Sequence, residues 1–258
     1  MIVRTPEERA ALIEAGRRLG VILDQLASET VPGISTLHLD KRAEALILAD
    51  GDTPAFKDYT PEGASRPYPG TLCISVNDEV VHGIPTDVHV LKEGDIVVLD
   101  LGLTHKGIIV DSALTVPVGK TDKTSYALID ATREALEAAI GAAKVGNRIG
   151  DISHATEAAG AGTGFSMVRT LGGHGVGREV HEEPFISNVG HPGTGPEIVP
   201  GMVLALEPIM NAGKATVHIM PDGYTFRTRD GSRSAHFEHT ILAEEGETLV
   251  VTRRPSEV

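Results

Sequence analysis

The sequence predicts an α+β fold in which two similar α/β halves pack as one domain. Three observations carry that expectation. Helices and then strands follow one another twice along the chain. Two short stretches of the first half match stretches of the second. No linker or low-complexity segment divides the 258 residues.

The clearer match sets Glu93-Gly94-Asp95-Ile96-Val97-Val98-Leu99-Asp100 against Pro200-Gly201-Met202-Val203-Leu204-Ala205-Leu206-Glu207. Each is a glycine turn, then an apolar strand, then an acid six residues after the glycine. The other sets Val31–Leu39, a turn entering a helix, against Val145–Ile152. One domain over residues 1–258 is expected, with halves at about 1–118 and 119–258.

Each element has a local reason. Thr5 is placed to cap a first helix, with Pro6 at the first helical position and Glu8 three residues past the cap. Leu12, Ile13, Leu19, Ile22, Leu23 and Leu26 then recur near helical spacing. Val31-Pro32-Gly33 makes a turn, and a second helix runs from about Thr36 to Ala49, ending at Asp50-Gly51. Residues 53–70 hold Pro54, Pro61, Gly63, Pro67, Pro69 and Gly70 and form a loop. Strands follow at Leu72–Val76, Asp95–Leu101 and Gly107–Val116. Helices at about Lys123–Ala143 and Ile149–Ala159 open the second half. Its strands lie near Met202–Ile209, Thr216–Met220, Tyr224–Thr228 and Ala235–Ala243.

Hydrophobic residues make up 41% and charged residues 23%, ordinary for a globular protein. Aromatics reach only 3%, with no Trp, so Val, Ile, Leu and Ala must build the core. A net charge of −13 opposes a sequence-independent grip on nucleic acid, which needs a basic face. The single cysteine, Cys73, excludes an intramolecular disulfide framework and suits a reducing compartment. The N-terminal segment mixes acids with bases and has no apolar stretch of signal-peptide kind. No apolar run approaches the roughly 20 residues of a membrane span. A soluble, cytoplasmic protein is expected.

The chemistry-bearing residues begin with Asp100 and Asp111, which bracket two apolar strands around a polar turn. With His105-Lys106 at the centre of that hairpin, the two aspartates are direct cross-strand partners, their Cβ atoms about 4.5–5.5 Å apart. Carboxylates so placed repel unless a cation or a shared proton joins them. Glu207 ends an apolar strand and precedes Pro208, and Glu238 lies in Ser234-Ala235-His236-Phe237-Glu238-His239-Thr240-Ile241-Leu242. Four acids in four apolar strands are hard to read as solvated charges, because an unpaired buried carboxylate is costly. His174 and His181 lie seven residues apart in a glycine-rich stretch, and glycine permits close backbone approach. His82 stands alone in a turn. Four carboxylates with one imidazole favour Mn, Fe, Co or Zn over a thiolate-type site. Two such ions about 3.5–4 Å apart suit hydrolysis of an amide.

Five segments, in order, resemble a known family. They are SVNDEVVHGIP at 75–85, the Asp100/Asp111 hairpin, GGHGVGREVHEEP at 172–184, LALEPIM at 204–210 and DGYTFRTRDGSRSAHFEHTI at 222–241. They are similar to those of the bacterial-type (type I) methionine aminopeptidases, in the creatinase/aminopeptidase superfamily with its pita-bread fold. The resemblance covers nearly the whole chain. It implies two pseudo-symmetric α/β halves around a curved antiparallel sheet.

It also implies roles. Asp111 and Glu238 would bridge two divalent ions, Asp100 would chelate one, and His174 with Glu207 would hold the other. His82 and His181 would hydrogen-bond the scissile amide and its developing oxyanion. A metal-bridging hydroxide would attack the carbonyl of an N-terminal Met, with Glu207 relaying the proton to the leaving amine. Cleavage would require a small second residue. Tyr68, Cys73 and Tyr224, with Phe56 and Val180, would form the methionine pocket.

The short stretch between His181 and Glu207 leaves no room for the helical insert of the type II enzymes. The implied partners are N-terminal Met peptides and nascent chains, with transient ribosome contact, no membrane and no nucleic-acid recognition; a monomer is expected. Two alternatives stand beside this. A prolidase or aminopeptidase P uses a similar ligand set but usually carries a separate N-terminal domain. A non-catalytic pita-bread binding protein would typically have lost ligands, and none is lost here.

Overall fold

The first helix, α1, spans Pro6–Glu29. Thr5 caps it, its hydroxyl accepting from the Glu8 amide at 3.2 Å, and Pro6 sits in the first turn, where a missing N–H costs nothing. Leu12, Leu19, Ile22, Leu23 and Leu26 lie on its buried face. Gly16 lies there too, and a Cβ on it would fall 2.1 Å from the carbonyl oxygen of Val251. Only glycine lets the C-terminal segment lie so close to the helix. The structure, a computed structural model, describes every residue but Glu62 and Val258.

Helix α2 (Thr36–Ala49) is capped by the Ser35 hydroxyl, which accepts from the His38 amide at 3.2 Å. The described residues of the 53–70 segment are irregular as expected, apart from the two-residue strand β1 (Thr53–Pro54). Then come β2 (Leu72–Val76), β3 (Glu79–Val81), β4 (Ile96–His105) and β5 (Ile108–Pro117).

The β4–β5 hairpin corrects the predicted register. Its turn is Lys106-Gly107, with φ of 50° and 76°, the left-handed pair that a tight hairpin turn favours. His105 therefore pairs with Ile108, Asp100 with Ala113 and Asp111 with Gly102. Asp100 and Asp111 are diagonal neighbours rather than direct partners. The slip is two residues, so both still point to one face, because side chains alternate with a period of two.

Helices α3 (Lys123–Ala142) and α4 (Ile149–Gly160) end within a residue of expectation. Beyond them lie β6 (Ser166–Met167), β7 (Gly172–Gly175), β8 (Glu182–Ser187), β9 (Val203–Leu206) and β10 (Ile209–Asn211). The chain finishes with β11 (Val217–Ile219), β12 (Phe226–Thr228), β13 (Ser234–His236), β14 (Glu238–Glu244) and β15 (Glu247–Val250), then a short 3-10 turn at Pro255–Glu257.

Two predicted strands turn out to be broken. Met202–Ile209 divides at Glu207-Pro208 into β9 and β10, and Ala235–Ala243 divides at Phe237 into β13 and β14. Pro208 has no N–H to continue a ladder. In each case the chain leaves one sheet for another, since β9 and β14 belong to a nine-stranded sheet and β10 and β13 to a three-stranded one.

The large sheet runs β2-β4-β5-β14-β9-β7, every pair antiparallel, with β8 beyond β7. Outward from the β5–β14 junction, the two sides match. The strand leading to Asp100 lies next to β5, and the strand leading to Glu207 lies next to β14. This is the pita-bread arrangement. Helix α1 packs on β4 and β5, and α3 reaches β5, β9 and β14. Leu99 and Leu101 point into that core, so Asp100 between them faces the opposite side of the sheet. Among the described residues, no helix is long and apolar enough to cross a membrane.

Candidate metal centre

On the face away from the helices, pairing aligns a row across four strands. Cys73 on β2 opposes Asp100 on β4, which opposes Ala113 on β5, which in turn opposes Glu238 on β14. Asp111 lies two residues before Ala113 and shares its face. Across the break in β9, Leu206 pairs with His239 on one side and Ile209 with His236 on the other. Glu207 thus stands opposite Glu238 where the two chains bend together. The Phe237 amide donates to the Pro208 carbonyl at 3.3 Å and ties the two bends. His174 comes in on β7, paired with Ala205, and its Nε2 lies 3.6 Å from Glu207 Oε1.

All four acids that the sequence singles out therefore meet at one place with His174. One donor atom each from Asp111, His174 and Glu238 lies within 4.8 Å of the others. Asp100 Oδ1, Asp111 Oδ1 and Glu238 Oε1 are buried without a hydrogen-bond partner among the described residues. Buried polar atoms are normally satisfied. Oxygens left unmatched and converging on one point are what a bound cation would satisfy.

The electrostatics agree. Burial raises the Asp100 carboxyl well above its usual range, and the Asp111 charge raises it further. Asp111 is pushed up to about 7 by burial, against the lowering effect of the Ser112 amide and Asp100. Glu207 and Glu238 are raised well above normal by burial and then by the neighbouring carboxylates. A cation among them reverses this, because it favours their ionised forms. The His174 imidazole is pushed down to about 3, by burial and then by His181, so it is a neutral nitrogen ready to ligate.

His82 and His181, the histidines expected to meet the substrate, come from different segments. His82 follows β3 with φ of 58°, a conformation uncommon for a residue with a Cβ. The next residue shows what holds it there. A Cβ on Gly83 would lie 2.0 Å from the Ile74 carbonyl oxygen, and the Gly83 carbonyl accepts from the Tyr68 hydroxyl at 2.8 Å. His181, exposed at the rim before β8, sets its ring edge-on to His174 at 4.6 Å between centroids.

Phe56, Tyr68, Cys73, Val180 and Tyr224, the five expected pocket residues, form an apolar cluster of their own. Tyr68 and Tyr224 pack edge-to-face at 5.2 Å. This cluster, the acids, His82, His174 and His181 line one cavity.

Among the polar residues lining this cavity, two were left without a role by the sequence. Tyr59 approaches His181, and His236 is buried beside Glu207 and Glu238. His236 had a legible signal, since it lies two residues from Glu238 in one apolar run. Tyr59 had none, because it belongs to an irregular loop with no period to orient its side chain.

Comparison with known proteins fits this geometry. The model of metallopeptidase family M24 matches residues 10–245. Methionine aminopeptidase 1 of Bacillus subtilis (strain 168) is 42% identical over 253 residues, covering 98% of this chain and 99% of that protein. The crystal structure of methionine aminopeptidase from Thermotoga maritima superposes with a TM-score of 0.93 at 42% identity, covering 98% and 100% of the two chains. Prolidase from Pyrococcus furiosus shares the fold at 23% identity and a TM-score of 0.72, and only 65% of it is covered. Matched nearly end to end at such identity, the chain belongs to metallopeptidase family M24, alongside its methionine aminopeptidases.

Proposed function

We propose that this chain, a metalloaminopeptidase that removes N-terminal methionine, works with two divalent ions held by Asp100, Asp111, His174, Glu207 and Glu238. The observation that carries the reading is the convergence of buried, unmatched carboxylate oxygens beside His174 Nε2. Asp111 and Glu238, central in the cluster, would serve both ions, with Asp100 completing one site and His174 and Glu207 the other. Co, Mn, Fe and Zn all suit this donor set. When bound, the ions supply Lewis acidity and lower the pKa of coordinated water.

The chain's own groups do the rest. The apolar cluster of Phe56, Tyr68, Cys73, Val180 and Tyr224 takes the methionine side chain and excludes water from it. His82 and His181 donate to the scissile amide and to the charge that develops on its carbonyl oxygen. Glu207 passes a proton to the leaving amine. A small second residue is preferred, because the segment after methionine must lie between the imidazoles at the rim. The two halves, about 1–118 and 119–258, serve as one catalytic domain; the matched strand order about the β5–β14 junction supports this. A reducing, cytoplasmic setting agrees with a buried free thiol at Cys73. The chain acts as a monomer on emerging nascent chains, with transient ribosome contact.

The test is to strip the protein with chelator, reload it with each metal, and assay Met-Ala-Ser, Met-Leu-Ser and an X-Pro dipeptide. Cleavage of the first alone, with two ions per chain by calorimetry, is expected. Cleavage of X-Pro, or no metal binding at all, would overturn the assignment.

A further inference from the structure

We infer that His236 is a positioning residue of the metal site, its Nε2–H aimed at Glu207 Oε2 so that the other oxygen of that carboxylate is presented to the ion. The inference rests on the metal site proposed above. His236 Nε2 lies 3.6 Å from Glu207 Oε2 and 3.9 Å from Glu238 Oε2. His174 Nε2 lies 3.6 Å from the other oxygen of Glu207. One carboxylate is thus flanked by an imidazole on each oxygen, one from β7 and one from β13.

The fold alone gives no reason for an imidazole here. His236 is 1% exposed, yet neither ring nitrogen has a hydrogen-bond partner among the described residues. Its backbone is held without the ring. The Thr115 hydroxyl accepts from the His236 amide at 2.9 Å and donates to its carbonyl at 2.8 Å, and β13 pairs with β10 at Ile209. The neighbours Ala235 and Phe237 join the main core, where an apolar side chain would suffice. At 236 the ring turns the other way, into the cavity wall. Outer partners that orient a ligating carboxylate commonly matter ~10–100-fold to metal affinity or rate.

The experiment compares His236→Leu, which removes the donor, with His236→Gln, whose amide N–H reaches the same oxygen. Readouts are Co(II) affinity by calorimetry, the visible spectrum of the Co(II)-loaded protein, kcat and KM on Met-Ala-Ser, and the Tm of metal-free protein. For Leu we expect Co(II) affinity or kcat to fall ~10–100-fold, KM to stay within ~3-fold and the Co(II) bands to shift, with Gln recovering most of the loss. Wild-type values for Leu, or a Gln variant as impaired as Leu, would overturn the role. So would a loss that simply follows the Tm of metal-free protein. If Leu does not fold, His236→Asn, polar but too short to reach, takes its place with the same expectation. A wild-type chain that binds no Co(II) would instead sink the metal site itself.

Discussion

The Tyr59 hydroxyl lies 3.1 Å from Nδ1 of His181, joining the irregular 53–70 segment to the turn ahead of β8. The same segment is pinned beneath by paired backbone bonds, Asp58 N to Tyr68 O at 2.9 Å and Tyr68 N to Tyr59 O at 2.8 Å. A phenol that donates to Nδ1 leaves the neutral His181 ring with its proton on Nε2. That tautomer makes His181 a donor on its other side, which the proposed oxyanion role requires.

Tyr59→Phe should therefore lower kcat on Met-Ala-Ser by about fivefold, the rate equivalent of a net hydrogen bond of ~1 kcal/mol. Co(II) affinity should be unchanged, because Tyr59 touches no proposed ligand. Unaltered kcat in steady-state assays would remove Tyr59 from the account of His181.

Glu238 and His82 should separate cleanly. Glu238→Ala takes from the cluster an acid proposed to serve both ions and should abolish both metal binding and activity. His82→Ala should lower kcat by about 10²–10³-fold, the usual effect of removing an oxyanion donor, and leave two ions per chain. Calorimetry with Mn or Co on both variants decides this. A His82→Ala protein emptied of metal would show that the roles are misassigned.

Gly102 lies against Phe56 of the proposed methionine pocket. A Cβ there would fall 2.7 Å from Phe56 Cε1, so Gly102→Ala requires that ring to shift. KM for Met-Ala-Ser should rise about tenfold, with a stability cost of about 1–3 kcal/mol from overpacking. Metal affinity should change far less. A variant with normal KM would mean that Phe56 does not bound the pocket.

Acid stability should depend on Glu257. Burial opposes its ionisation, but His239 Nε2 at 3.3 Å and the Arg254 guanidinium outweigh burial and bring the carboxyl down to about 2. A depressed folded pKa contributes stability that is present above the ordinary value near 4.5 and disappears as pH falls toward 2. Glu257→Gln should lower the Tm at pH 7 and converge with wild type below about pH 3. A Tm difference that persists undiminished at pH 2.5 would refute this assignment.

The helices were legible because their information is local: Thr5 and Pro6 start α1, and α2 ends at the predicted Asp50-Gly51. Strands β7 and β8 were not. Gly172–Gly175 is glycine but for His174 and shows no β preference, and Glu182–Ser187 is an edge strand interrupted by proline. The Asp100/Asp111 hairpin was legible as to face but misread as to register, because Lys106-Gly107, not His105-Lys106, can take the left-handed turn.

The amino-acid sequence by itself determined the helices, the apolar strands that carry acids, and the motif order that resembles the aminopeptidases. Each of these is written within a few residues of chain. Only the tertiary structure decided that Glu207 and Glu238 face each other at twin breaks between two sheets, and that His236 joins them. Bringing residues 207 and 236 together depends on β-pairing between distant segments, and no local period encodes that register.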